Sequence, residues 1–80
     1  MSFKPCFYFK GEFLPDGKTL RPCLNGEAYA THDEALKSAR ARFMVWTAPA
    51  DCGVVESEEP VVCRWNAELC KADWLRDEAA

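Results

Sequence analysis

The sequence predicts a small α+β fold: an antiparallel sheet of about three strands, one long helix packed on one face, and a short C-terminal helix. Three observations carry that expectation. An aromatic run at the start alternates with period two, a capping box opens an amphipathic stretch at Thr31, and a second β-branched run flanks Pro60. The 80 residues allow one domain, 1–80. A chain of this size buries only about 60% of its unfolded surface, so its core has little to spare. Hydrophobic residues make up 49% and charged residues 29%, a globular composition.

Phe3, Phe7 and Phe9 share one parity, and Lys4, Cys6, Tyr8 and Lys10 the other, which reads as a half-buried strand. Pro5 lacks an N–H and belongs near the strand start or on an edge. Pro15-Asp16-Gly17-Lys18 has turn chemistry, so Glu12–Leu14 should lead into a hairpin with Leu20–Leu24. Asn25-Gly26 marks a further tight turn that returns Ala28 and Tyr29 toward the sheet.

Thr31-His32-Asp33-Glu34 is the clearest local signal. Thr31 can accept from the orphan N–H groups and Glu34 can reach back. The acidic pair also complements the helix dipole. The helix is expected to run to about Thr47, with Leu36, Ala39, Phe43 and Trp46 as its apolar stripe and Asp33 paired with Lys37. Pro49 ends it. Val54-Val55 and Val61–Trp65 are extended, with a bulge or break at Pro60. Asn66 is a suitable N-cap for a short helix over Ala67–Asp77, anchored by Cys70 and Trp74. The predicted core is Phe3, Phe7, Phe9, Leu36, Phe43 and Trp46.

Net charge is −3, unevenly placed. Residues 1–50 hold seven Lys/Arg against five Asp/Glu, and residues 51–80 three against eight. No basic stripe exists to neutralise a run of phosphates, so direct nucleic-acid binding is not expected. No apolar run is long enough for a membrane span, and Lys4, Lys10 and Glu12 interrupt anything resembling an export signal. The five cysteines, Cys6, Cys23, Cys52, Cys63 and Cys70, are odd in number and form no closely spaced pair. They read as free, buried thiols of a reducing cytoplasm, with no metal and no cofactor expected.

Nothing in the sequence sets up catalysis. His32 is the only imidazole and reads as a surface residue at the helix start. The four glycines are isolated, so none builds a phosphate cradle. Binding is better supplied. Tyr8, Phe13, Leu14, Trp65 and Trp74 exceed what a small core can hold, unless the C-terminal helix covers them. An acidic rim of Glu56, Glu58 and Glu59, then Asp51, Asp73 and Asp77, suits a partner with a basic surface.

Residues 29–65 carry a distinctive cadence: Tyr-Ala-Thr-His-Asp-Glu-Ala, a helix ending Phe-Met-Val-Trp, then Val-Val-Glu-Ser-Glu-Glu-Pro-Val. This resembles a group of short accessory proteins encoded by bacteriophages and prophages. In size and acidity the chain also resembles the broad class of small anti-CRISPR proteins. The resemblance implies a non-enzymatic inhibitor, working in the host cytoplasm as a monomer or weak homodimer. It would bind subunits of a CRISPR–Cas surveillance complex of the type I, Cascade kind and keep target DNA off its cationic channel. The alternative is a structural or regulatory interaction module, of phage or host, with a different protein partner.

Overall fold

Aromatic and β-branched residues at the N-terminus form β1, Ser2–Tyr8, which becomes the middle strand of a three-stranded antiparallel sheet. The structure is a computed structural model and describes residues 1–75. Strand β2, Cys23–Leu24, lies on one side of β1 and β3, Asp51–Ser57, on the other. Helix α1, His32–Val45, packs on one face. A separate two-stranded hairpin, β4 (Cys63–Asn66) and β5 (Lys71–Trp74), packs against the helix through β4.

Pro5 sits mid-way along the central strand, neither near a strand start nor on an edge as expected of it. The geometry explains how. Phe3 exchanges both backbone bonds with Tyr29, each 2.8 Å, so odd-numbered residues of β1 direct their backbone groups to that side. Pro5 has no donor to offer there. Opposite it the neighbouring chain bulges away: Cys6 pairs with Leu24 and Phe3 with Tyr29, so residues 25–28 stand opposite residues 4–5 alone. Gly26, with φ 88°, supplies the left-handed conformation that this arch requires.

Phe3, Pro5 and Phe7 face the helix. The Phe3 ring stands edge-on to His32 at 6.0 Å, and Phe7 and Phe9 do the same to Trp46 at 5.3 and 5.4 Å. Each such pair contributes about 0.5–1.5 kcal/mol beyond its buried area. The centre of the core is smaller than the predicted one. Tyr29, Ala35 and Cys63 are fully buried, with Phe3, Val54, Val62, Trp65 and Ala72 packed around them. Because Tyr29 fills the space beneath the helix, α1 turns its small residues Ala35, Ser38 and Ala39 inward. Leu36 and Phe43 are only half-buried at its margins. Trp46, beyond the helix end as its C-cap, is 42% exposed.

The cap at Thr31 forms as expected, its hydroxyl accepting the Glu34 N–H at 3.2 Å, and Asp33 pairs with Lys37 at 3.1 Å. The Glu34 carboxylate accepts from the Thr31 hydroxyl at 3.2 Å with one oxygen and from the N–H of Trp65 at 3.0 Å with the other, tying β4 to the helix start. The expected hairpin after β1 is reduced to one bridge, Phe13 to Leu20. Asp16 closes its turn by accepting from the N–H groups of Lys18 and Thr19 at 2.8 and 2.9 Å.

The C-terminal helix is replaced by the β4–β5 hairpin over the described residues. Asn66 does act as a cap, its side-chain oxygen accepting the Leu69 N–H at 3.0 Å. One turn later Cys70 adopts φ 52°, and the chain reverses instead of continuing. Lys71–Trp74 then pairs with β4, placing Ala72 opposite Trp65 and against the core. Packing of Ala72 overrides the modest helical preference of this segment.

Candidate protein-binding surface

The acidic residues singled out from the sequence do not form one rim. Glu56 and Glu58 are exposed at the C-terminal end of β3. With Met1 and Ser57 they line an open concavity of about 240 Å³. Met1 is 81% exposed, so an apolar contact stands directly beside two carboxylates. Among the described residues neither Glu56 nor Glu58 forms an ion pair.

Glu59 has a different job. Its carboxylate lies 2.5 Å from the Lys4 ammonium, and Lys4 has its side chain only 8% exposed on the sheet face away from the helix. The Lys4 hydrogen bond and charge hold the Glu59 carboxyl below its ordinary range, aided by the Ser57 hydroxyl. Glu59 therefore belongs to the fold, neutralised by the chain itself. Asp51 is exposed at the far end of β3, about 20 Å from Ser57 by strand rise. Its side chain accepts the Cys52 N–H at 2.8 Å. Asp73 sits on the hairpin, opposite Arg64, and accepts from the Asn66 amide at 3.1 Å. Asp77 lies outside the described residues.

The spare aromatic and aliphatic groups divide in the same way. Tyr8 is half-buried with its ring over Gly53, and its hydroxyl accepts from the Cys6 thiol at 3.5 Å. That contact, together with burial, pushes the Tyr8 phenol up to about 12. Trp65 is half-buried against the core. Phe13, Leu14 and Trp74 remain exposed, Trp74 at 56%. Val45, Trp65, Cys70 and Ala72 line a second, apolar concavity between the helix and the hairpin.

The strongest polar constellation in the molecule was not legible in the sequence. Glu27, on the arch opposite Pro5, is 3% exposed. It accepts from the Tyr29 hydroxyl at 2.5 Å, the Ser38 hydroxyl at 2.6 Å and Arg42 Nη1 at 2.9 Å, and forms an ion pair with Arg42 Nη2. Asn25 adds its amide at 3.2 Å and accepts the Glu27 N–H at 3.1 Å. A carboxylate so supplied is stable when buried. Burial, with the hydrogen bond to Glu27, pushes the Tyr29 phenol upward, so it stays a proton donor to Glu27. The local signal was the spacing of Ser38 and Arg42, one helical turn apart, but their partner lies on another element. Tyr29 and Glu27 are shut away from solvent, and the constellation reads as a structural tie.

The five cysteines are free thiols. Burial raises the pKa of Cys52 and of Cys63. His32 is exposed at the first residue of α1. Among the described residues no group of three or more His, Cys, Asp and Glu side chains is placed to hold a metal ion. Among the described residues no helix is long and apolar enough to cross a membrane. Together these features define a small α+β protein whose buried carboxylate is paired within the chain and which exposes two neighbouring carboxylates, Glu56 and Glu58, at one end of β3. Comparison of the chain with protein-family models, with curated proteins and with solved structures finds no match.

Proposed function

We propose that this chain is a non-enzymatic inhibitor of phage or mobile-element origin. It acts in the host cytoplasm by docking on a protein surface that would otherwise hold nucleic acid. The observation that carries the reading is the pair Glu56 and Glu58, exposed beside Met1 and without an ion pair among the described residues, while Glu12, Glu27, Asp33 and Glu59 are each paired within the chain. Carboxylates left free beside an apolar contact suit an arginine or lysine, whose stem lies on Met1 while its head reaches both charges. The partner class with such residues in number is a nucleic-acid channel. The resemblance in size and acidity to small anti-CRISPR proteins directs the choice to a type I CRISPR surveillance complex.

The test is target-DNA binding by a purified complex of that type, with and without the protein. The wild-type chain should suppress binding, and the folded Glu56→Lys/Glu58→Lys variant should not. Glu59 stays unaltered, because its loss would strand Lys4. Full inhibition by the charge-reversed variant, or none by the wild type, would overturn the proposal.

A further inference from the structure

Strand β3 is the outer strand of its sheet, and its register shows which backbone groups remain free. The Phe3 bonds to Tyr29 direct the odd-numbered residues of β1 away from β3, leaving the even-numbered ones to bond it. Ser2, Lys4, Cys6 and Tyr8 stand opposite Ser57, Val55, Gly53 and Asp51. The backbone groups of Cys52, Val54 and Glu56 therefore point outward. Asp51 occupies the Cys52 N–H at 2.8 Å. The N–H groups of Val54 and Glu56 have no partner among the described residues. Two adjacent outward sites, about 7 Å apart, form the start of a ladder without its second rail.

The charges around this edge select its occupant. Asp51 stands at one end and Glu56 and Glu58 at the other, and Asp51–Ser57 contains no lysine or arginine. A second copy paired here would bring three carboxylates from each chain to one seam with no cation of β3 between them, which is repulsive. An extended segment rich in lysine or arginine meets the opposite situation. We propose that β3 accepts an extended basic segment of the partner protein as an added strand. The segment's backbone would bond Val54 and Glu56, and its cations would lie beside Glu56 on one face of the sheet and beside Asp51 on the other. This deepens the surface reading above and rests on it.

The probe is an acetylated, amidated octapeptide with lysines and valines in adjacent pairs, so that each face of the added strand carries cations. Amide hydrogen exchange and affinity are measured for the wild type, Glu56→Gln and Glu56→Pro. Both substitutions remove the charge, but only proline removes the outward N–H, and neither touches a bond to β1. Saturating peptide should slow exchange at Val54 and Glu56 of the wild type by about tenfold or more. The proline variant should bind about tenfold more weakly than the glutamine variant, the worth of one such hydrogen bond. Equal affinity of the two variants with unchanged wild-type exchange means charge alone is read; that overturns the added strand and leaves the surface proposal standing. Absence of peptide binding overturns it too, while the DNA-binding assay reports on the surface separately. Protection of Val54 and Glu56 that rises with protein concentration alone assigns the edge to a second copy and overturns the basic occupant. Should Glu56→Pro fail to fold, the wild-type exchange decides.

Discussion

Arg42, in the last turn of α1, closes on the carboxylate of Glu27, 15 residues earlier in the chain, and so fastens the arch opposite Pro5 to the helix. The arch exists because proline leaves a gap in the ladder, and Glu27 can be buried because the helix brings it two donors. A defect in the sheet and an ionic tie are thus one device.

Removing one partner of that tie should be costly. Glu27→Ala leaves the Arg42 guanidinium and the Tyr29 and Ser38 hydroxyls short of an acceptor, and should destabilise the fold by about 3 kcal/mol. Arg42→Met strands the Glu27 carboxylate, whose side chain is 3% exposed, without its cation and should cost a comparable amount. The double variant should recover part of the sum. Urea unfolding of the three proteins measures the cycle, and strict additivity would show that the pair does not act as a unit.

Acid should loosen the back face of the sheet. Glu59 has its pKa lowered in the folded chain by Lys4, so its contribution is present above the ordinary 4.5 and is lost as pH falls through the lower folded value. Thermal melts should show declining stability below about pH 4.5. Glu59→Gln should lower the melting temperature at neutral pH, by stranding the buried Lys4 ammonium, and flatten the acid dependence. A variant as stable as the parent at pH 7 would show the pair to be incidental.

The hairpin turn offers a test with both signs. Cys70 holds φ 52°, a conformation that costs an L-residue about 1 kcal/mol, so Cys70→Gly should raise stability by several tenths of that and Cys70→Val should lower it. Asn66→Ala removes the bond to the Leu69 N–H and should cost about 1 kcal/mol. Equal melting temperatures for the glycine and valine variants would contradict the assigned turn.

Two small substitutions should stabilise. The Ser2 hydroxyl is buried without a hydrogen-bond partner among the described residues, so Ser2→Ala should gain about 1 kcal/mol. A methyl group on Gly53 would rest 3.5 Å from the Tyr8 ring and 3.6 Å from the Cys6 sulfur, ordinary contact distances, so Gly53→Ala should gain about 0.5 kcal/mol. Denaturant midpoints below that of the parent would show that these sites are tighter than their contacts indicate.

Local chemistry was legible wherever the partner lay within a few residues. The Thr31 cap, the Asp33–Lys37 pair, the Asp16 turn and the break between Val54-Val55 and Val61–Trp65 are all present. The Asn66 side chain does take the Leu69 N–H, but it closes a turn and not the expected helix, because Ala72 reaches Trp65. Of the acidic set, Glu56 and Glu58 stand together, Glu59 is drawn to Lys4, and Asp51 and Asp73 are placed elsewhere.

By itself the sequence determined the α+β class, where the long helix begins, and that excess acidity lies in the second part of the chain. Those follow from periodicity, capping and charge, which act over a few bonds. Only the tertiary structure decided that Pro5 sits mid-sheet, that Tyr29 lies at the centre of the core, and that Glu27 is buried on Arg42. Each of these depends on burying a side chain or satisfying a charge against residues far along the chain. The free energy of doing so exceeds any local preference, and no short window of sequence contains both partners.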